Sequence, residues 1–128
     1  MRKEDGGFTL IELLIVVVII GILASIAIPK FSAVRERAYI ASIKSDLKNL
    51  ATLQDIYYNG SYSYSTVFAD LEFGESDGVT VVISEGNNLG WSASSSHAGL
   101  PGESCAIYHG SASPVAPATI LSTVICTR

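Results

Sequence analysis

Residues 8–28 form an almost unbroken apolar run, FTLIELLIVVVIIGILASIAI, in which Thr9, Glu12 and Ser25 are the only polar side chains. About 20 apolar residues at 1.5 Å per residue span the hydrocarbon core of a bilayer. The run therefore predicts a helix that enters a membrane. The whole chain has 128 residues, enough for one domain, and the run excludes an ordinary soluble domain as a description of all of it.

Two common targeting segments fit this run poorly. A secretory signal has an apolar core of about 7–15 residues followed by a small-residue cleavage site, which Ser25-Ile26-Ala27 would have to supply. The run is longer than that, and Glu4 and Asp5 stand in the segment that should be basic. A plain single-pass anchor explains the length but leaves Glu12 unexplained, because a carboxylate inside the membrane costs about 3 kcal/mol on insertion scales.

The residues around Glu12 resemble a known processing junction. Residues 6–14 read GGFTLIELL, similar to the junction of type IV prepilins and pseudopilins. In that family a short leader ends in glycine, phenylalanine follows, and a glutamate precedes a long apolar helix. The resemblance continues through Gly21 and Pro29-Lys30-Phe31 and covers the first third of the chain. Within the family, the chain is most similar to a type IVa major pilin.

The resemblance implies a processing event and a location. A membrane peptidase would cut between Gly7 and Phe8, removing residues 1–7 as a leader, and the same enzyme would N-methylate Phe8. The precursor would be a single-pass protein of the bacterial inner membrane with a cytoplasmic N-terminus, an orientation that Arg2 and Lys3 favour. The processed chain would then leave the membrane as part of an extracellular pilus.

Glu12 has a physical role under this interpretation. Cleavage would expose a positive amine on Phe8 at the edge of an apolar environment, where an unpaired charge is unfavourable, as is an unpaired carboxylate. Pairing the amine of an incoming subunit with Glu12 of a neighbour would remove both penalties and set the axial register. We therefore predict that Glu12 is a registration residue.

The helix is predicted to continue from residue 8 to residue 58. Residues 8–30 would form its membrane or filament-core half, with a kink at Gly21 and Pro29 because both residue types weaken a helix. Residues 31–58 would form an amphipathic half, and Asn59-Gly60 would end the helix with Gly60 as its left-handed residue. The amphipathic half carries apolar residues at three- and four-residue steps: Val34, Ala38, Ile40, Ala41, Ile43, Leu47, Leu50, Leu53 or Gln54, and Tyr57.

Residues 59–128 are predicted to form a globular β head. Strand signals appear at 79–84, 89–97 and 104–108, and residues 119–126 would extend or flank the sheet. A turn of helix is expected at 65–71. The predicted fold class is thus α+β, with the long N-terminal helix packed on a small antiparallel sheet of three or four strands.

Cys105 and Cys126 are the only cysteines. If this part of the chain is exported, a disulfide between them is expected, and two free buried thiols are the alternative. A bridge would close a loop of about 20 residues, which the chain-entropy model values at roughly 3 kcal/mol. The resemblance implies that this loop is similar to the D-region of pilins. It also implies that the cysteine pair favours a pilus subunit over a major pseudopilin.

Charge is distributed unevenly along the chain. Residues 30–58 carry a net charge of +2 and residues 59–128 a net charge of −5. Neighbouring subunits could therefore attract each other, basic helix to acidic head, although simple solvation explains the same charges. An acidic head disfavours direct nucleic-acid binding, and none is predicted.

No arrangement of residues indicates an enzyme, a cofactor or a metal centre. His97 and His109 are the only histidines. Cys105 and His109 have helical spacing, but their segment is predicted as a strand. The acidic cluster from Asp70 to Asp77 lacks the tight pattern of a calcium loop, so a solvated loop is expected there.

Three functional hypotheses follow. The first is a structural subunit that polymerises into a type IV pilus, with adhesion, twitching motility or DNA uptake as tasks of the fibre. The second is a pseudopilin of a type II secretion system. The third, a signal-anchored domain that never polymerises, leaves Gly7, Phe8 and Glu12 without a role. The first two imply as partners further copies of the chain, the prepilin peptidase and methyltransferase, an inner-membrane assembly platform, and membrane lipid before assembly.

Overall fold

The computed structural model describes residue 2 and residues 4–128. Met1 and Lys3, which belong to the predicted leader, lie outside the described residues, and Lys3 is one of the side chains behind the predicted orientation. The chain divides into two units, residues 1–35 and residues 36–128, and each is described by itself. The elements in chain order are α1 (Leu10–Ser61), α2 (Phe68–Leu71), β1 (Val79–Gly86), β2 (Gly90–His97), β3 (Ser104–Gly110) and β4 (Ile125–Cys126).

The first unit contains the apolar start of α1. Every large apolar side chain from Phe8 to Val34 is at least 48% exposed, so the chain itself buries none of them. Among the described residues, α1 is the one helix long and apolar enough to cross a membrane. Gly21 and Pro29 both lie inside this helix, which continues through them. A kink at these two positions stays a prediction.

The bounds of α1 differ from the predicted ones. The helix begins at Leu10 rather than at residue 8, and it ends at Ser61 rather than at residue 58. The later start has a local cause, because Thr9 caps the helix instead of joining it. The boundary predicted between an amphipathic half at 31–58 and a head at 59–128 therefore falls inside α1, and the division itself stays a prediction.

The residue that ends α1 also differs from the prediction. Gly60 remains helical, and the left-handed residue is Tyr62 with a φ of 54°. The backbone N–H of Tyr62 donates to the carbonyl oxygen of Tyr58 over 2.8 Å. The chain beyond is held in place, since Tyr64 stacks on Tyr58 with ring centroids 4.6 Å apart and its N–H donates to the carbonyl oxygen of Asn87 over 3.0 Å. These tertiary contacts outweigh the local preference for glycine.

The second unit contains a four-stranded antiparallel sheet in the order β1-β2-β3-β4. The fold class is therefore the predicted one. β1, β2 and β3 begin and end within two residues of the predicted strands, and α2 lies inside the predicted helical turn. Only two residues of the predicted segment 119–126 join the sheet, as β4.

The core of this unit lies between α1 and one face of the sheet. Ile83, Ala93 and Ile107 are paired in register across β1, β2 and β3. They belong to one apolar cluster with Leu47 and Leu50 of α1, both fully buried. Burying a side chain of this size contributes about 1.5–3 kcal/mol, so the amphipathic stripe predicted for α1 is what holds the sheet.

The loop after β3 lies against the opposite face of the sheet. Successive residues of a strand point to opposite faces of the sheet. Since Trp91 is buried in the core, its neighbour Gly90 lies on the opposite face. A Cβ at Gly90 would come within 2.7 Å of the Ala112 nitrogen, and Ser113 N–H donates to Glu85 Oε2 over 2.9 Å. Because both faces are covered, β2 is buried along most of its length. This explains its weak alternation of polar and apolar residues.

Two buried polar side chains of α1 hold the connection to β1. The fully buried Gln54 donates to the Ser65 carbonyl over 2.7 Å and accepts from the Ser65 N–H over 3.0 Å. Asp46 accepts from the N–H and the hydroxyl of Ser76, at 2.7 and 2.6 Å. The burial of Asp46 is unexpected, because a charged residue is normally assigned to the solvent face of an amphipathic helix. Both side chains satisfy groups that burial would otherwise leave unpaired.

Cys105 and Cys126 form a disulfide and are partners in register between β3 and β4. Cys105 is fully buried in the core, and Cys126 is half-buried. The bridge joins the start of β3 to β4 and so encloses the loop between the two strands, which is a structural part of the second unit.

Candidate processing and assembly site

The predicted cleavage junction is exposed. Residues 4–9 belong to no helix or strand, and Phe8 is 86% exposed. A Cβ built on Gly6 or Gly7 would meet no atom within 4 Å, and neither glycine has a positive φ. The fold therefore does not require glycine at position 7, and a requirement there would come from an outside partner such as a peptidase. The cut between Gly7 and Phe8, and the methylation of Phe8, stay predictions.

Thr9 and Glu12 form a reciprocal cap at the start of α1. Thr9 N–H donates to Glu12 Oε2 over 2.9 Å, and Glu12 N–H donates to Thr9 Oγ1 over 3.3 Å. With Thr9 as the N-cap and Glu12 three residues later, this is a capping box, which satisfies two backbone donors that a helix start leaves free. Glu12 therefore already has an intrachain role.

Thr9 belongs to this site, although the role predicted for Glu12 does not involve it. A threonine or serine followed three residues later by an acid, just before an apolar run, is the sequence signature of a capping box. Thr-Leu-Ile-Glu has that spacing. An interpretation of Glu12 as an intersubunit partner alone misses it.

The cap is compatible with a second partner for the same carboxylate. Only Oε2 of Glu12 is used within the described part of the chain; Oε1 accepts no hydrogen bond there. The helix start presents a partial positive charge, which favours an anion in the first turn. A cation such as a free amine can therefore bind the unused oxygen while Thr9 N–H keeps the other.

The surroundings of this carboxylate are apolar and uncovered. Ile11, Leu13 and Leu14 are each more than half exposed. A helix that is apolar over its whole exposed surface lies in lipid or against other apolar helices. In either environment a charge partner for Glu12 gains importance, because an unpaired carboxylate is unfavourable in low dielectric.

The remaining predicted site residues belong to two groups. Gly21 and Pro29 lie in the first unit, inside α1, and the disulfide of Cys105 and Cys126 lies in the second unit. The predicted disulfide is formed, whereas the kink at Gly21 and Pro29 stays a prediction.

Both histidines are engaged in contacts of the second unit. The His97 ring stacks on Tyr39 with centroids 3.9 Å apart, and its Nδ1 accepts from Gly99 N–H over 2.9 Å. His109 Nδ1 lies 2.6 Å from Ser122 Oγ. In residue 2 and residues 4–128, no group of three or more histidine, cysteine or acidic side chains could hold a metal ion.

One tyrosine of the second unit has a shifted pKa. Burial raises the pKa of Tyr64 above its ordinary value, and the negative charge of Asp55 and the nearby Tyr58 hydroxyl add to the increase. The Tyr64 ring lies between Tyr58 and His109, with its centroid 5.7 Å from that of His109. This cluster is structural, because it joins the end of α1 to the end of β3.

The junction matches a described protein family, the prokaryotic N-terminal methylation motif, over residues 2–28. The chain is also 37% identical over 71 residues to the type II secretion system core protein G of Pseudomonas aeruginosa. It is 43% identical over 72 residues to the type IV major pilin protein PilA of Myxococcus xanthus. It is 43% identical over 64 residues to the type IV wide pilus major component PilA4 of Thermus thermophilus.

These likenesses cover part of each protein. The first two segments span 56% of this chain and the third 50%. The chain spans about half the length of the secretion protein and of PilA4, at 50% and 49%, and 33% of PilA. In this chain the methylation motif covers the start of the apolar helix. Over about half of its length, the chain is therefore similar both to type IV pilins and to type II secretion system core proteins G.

Proposed function

We propose that this chain is a structural subunit that polymerises into a type IV pilus. The proposal is supported by the exposure of the first unit, in which every large apolar side chain from Phe8 to Val34 is at least 48% exposed. Such a surface is stable only in lipid or against further apolar helices. A filament core built from copies of this helix would supply the second environment after the membrane has supplied the first.

Processing would prepare the chain for that transfer. The exposed junction at Gly7 is accessible to a prepilin peptidase, and cleavage would give Phe8 a free amine, then N-methylated. The Oε1 oxygen of Glu12 is the acceptor for the amine of a neighbouring subunit, and the pairing sets the axial register because other staggers leave charges unpaired in an apolar core. Thr9 fixes Glu12 in position for that contact.

The proposed location follows from the same features. The precursor lies in the bacterial inner membrane as a single-pass protein with its N-terminus in the cytoplasm, and an assembly platform there passes it into an extracellular fibre. The second unit, closed by its disulfide, is the exported head. Adhesion, twitching motility and DNA uptake are tasks that the fibre, rather than the single subunit, would perform.

A second candidate function is that of a pseudopilin in a type II secretion system. It is favoured by the 37% identity to the core protein G of Pseudomonas aeruginosa. The disulfide between Cys105 and Cys126 favours the pilus, because the resemblance implies that major pseudopilins commonly lack such a pair.

Fibres sheared from cells that express the chain at native level test these functions. Abundant long filaments whose subunit begins at an N-methylated Phe8 are expected for a pilus subunit. Short fibres that appear only on overexpression, together with a loss of protein secretion when the gene is deleted, would support the pseudopilin instead. A chain that stays in the membrane with Gly7 still attached to Phe8 would contradict both.

A further inference from the structure

A cleft of about 530 Å³ lies in the second unit between α1 and the segment that leads into β4. Lys44, Lys48 and Thr52 line it from α1, and Ser122 and Thr123 line it from the other side. These five residues define what we call the basic cleft. Ile107 of β3 also lines the cleft. The cleft therefore lies at the edge of the sheet where β3 pairs with β4.

The basic cleft offers hydrogen-bond donors and positive charge. No carboxylate lines it, and the salt bridge found among residue 2 and residues 4–128 joins Arg128 to Glu36, so neither lysine is neutralised within the described chain. Ser122 Oγ is oriented by His109 Nδ1, 2.6 Å away. The hydroxyls of Thr52 and Thr123 donate to the carbonyl oxygens of Lys48 and Leu121, so the two ammonium groups are what favours an anionic oxygen ligand.

Carboxylates without a partner lie at the other edge of the same sheet. Glu72 and Asp77 are exposed and make no side-chain hydrogen bond within the described chain, whereas Asp70 accepts from Ser65 Oγ and Glu75 accepts from Val81 N–H. Glu72 is fixed in a left-handed conformation, with a φ of 51°, at the end of α2. Residues 72–77, which we call the acidic loop, lead into β1 and therefore lie at the edge opposite β4.

We propose that the basic cleft of one copy receives Glu72 and Asp77 of the acidic loop of a second copy. Each copy carries the basic cleft at one edge of its sheet and the acidic loop at the other, so the contact joins two different surfaces. Such a heterologous contact repeats from copy to copy instead of closing as a dimer. Leu121, exposed next to Ser122 of the cleft, would add buried apolar area. The inference rests on the proposed polymerisation, for which it names a contact between heads.

Paired cysteine variants of the full chain test the contact. Cells would co-express Lys48→Cys and Asp77→Cys, and disulfide-linked dimers would be measured after mild oxidation. In the control, Lys48→Cys is co-expressed with Ser96→Cys instead of Asp77→Cys. Ser96 is an exposed position in the same sheet. The Lys48/Asp77 pair is expected to give about fivefold more dimer than the control, because the remaining ion pair of Lys44 and Glu72 holds the two cysteines next to each other.

The yield of sheared filament separates the contact from polymerisation itself, because it reports on assembly whether or not the heads cross-link. Filaments of the wild-type chain with no excess dimer for the Lys48/Asp77 pair would overturn this inference and leave the proposed function intact. If the wild-type chain gives no filament, the polymerisation fails, and this inference fails with it.

Charge exchange distinguishes a second copy from a free anion. Lys44→Glu with Lys48→Glu, or Glu72→Lys with Asp77→Lys, should each lower filament yield by about fivefold, and the four changes together in one chain should restore it. All four positions are at least partly exposed, so the second unit should fold in every variant. Binding of inorganic phosphate to the cleft without restoration by the fourfold exchange would assign the cleft to a small anion and overturn the proposal.

Discussion

The two units of this chain obtain their stability in different ways. In the first unit the apolar side chains are uncovered, and the side-chain contacts at its start are those of Thr9 with Glu12. In the second unit the apolar side chains form one core, which is supported by a disulfide and by buried polar contacts of α1. One unit is incomplete without surroundings, whereas the other contains what it needs to fold.

This difference separates assembly from folding in the effects of mutations. A change in the first unit should alter how the chain lies in lipid or in a filament and should leave the second unit folded. A change in the core of the second unit should lower its free energy of unfolding. Trp91, the only tryptophan, is 1% exposed, so its fluorescence in the detergent-solubilised full chain reports on the second unit.

The largest effect is expected at Glu12. Glu12→Gln removes the charge but still offers a side-chain oxygen that can accept from Thr9 N–H, as a capping box requires. We expect normal cleavage at Gly7 and about 100-fold less sheared filament, the effect of about 3 kcal/mol for an unpaired charge in an apolar environment. Unfolding followed by Trp91 should be unchanged. Glu12→Ala should assemble as poorly, and wild-type filament yield from either variant would contradict the registration role.

Removal of the disulfide should give the largest effect in the second unit. Replacing Cys105 and Cys126 together by alanine should lower the free energy of unfolding by about 3 kcal/mol, because the unfolded chain regains loop entropy. Urea titration followed by Trp91 fluorescence measures this change. Leu13→Ala in the first unit serves as the control and should leave the titration midpoint unchanged. Equal effects of the two variants would remove the distinction between the units.

Loss of the Gln54 contacts should have the next effect. Gln54→Leu keeps the volume but leaves the N–H and the carbonyl of Ser65 without their side-chain partner, which should cost about 2 kcal/mol. The same urea titration would detect it. The matched control is Thr52→Leu, since Thr52 is exposed on the same helix. A Gln54→Leu chain as stable as this control would show that water replaces the amide.

A smaller effect is expected for the N-cap. Thr9→Ala removes the hydroxyl that accepts from Glu12 N–H and should destabilise the first turn of α1 by about 1 kcal/mol. Faster amide exchange at residues 10–13 in micelles, with unchanged exchange in the strands, would show it. Ser25→Ala, whose hydroxyl bonds only to the Ile22 carbonyl, is the control. Because the carboxylate stays, filaments should still form, and a loss as large as that of Glu12→Gln would mean that the cap rather than the charge governs assembly.

The smallest effect depends on pH and belongs to Tyr64. Its pKa is raised in the folded chain, so the folded state retains the proton more strongly than the unfolded state. The resulting stability is fully present below the unfolded pKa of about 10 and is lost as the pH rises through the higher folded pKa. Wild type should therefore lose more stability than Tyr64→Phe between about pH 9 and about pH 11. Parallel loss in both chains would assign the alkaline sensitivity to other groups.

Much of the fold could be predicted because its signals are local. The run of apolar residues predicts α1, β-branched residues bounded by glycine predict β1, and the steps from Ile43 to Leu50 predict the buried stripe. Predictions failed where a distant contact outweighs a local preference. Tyr62 rather than Gly60 takes the left-handed conformation. No local pattern predicts the burial of Asp46, for which Ser76 supplies two donors from another segment.

The sequence by itself determined that this chain has an apolar helix with a predicted processing junction before it, because length, glycine, aromatic residue and acid are all encoded within a few neighbouring positions. It also determined the capping box of Thr9 and Glu12, whose spacing is local. The tertiary structure alone decided that the basic cleft and the acidic loop lie at opposite edges of one sheet. Strand order brings residues far apart in the chain together, and no periodicity within a segment records that order.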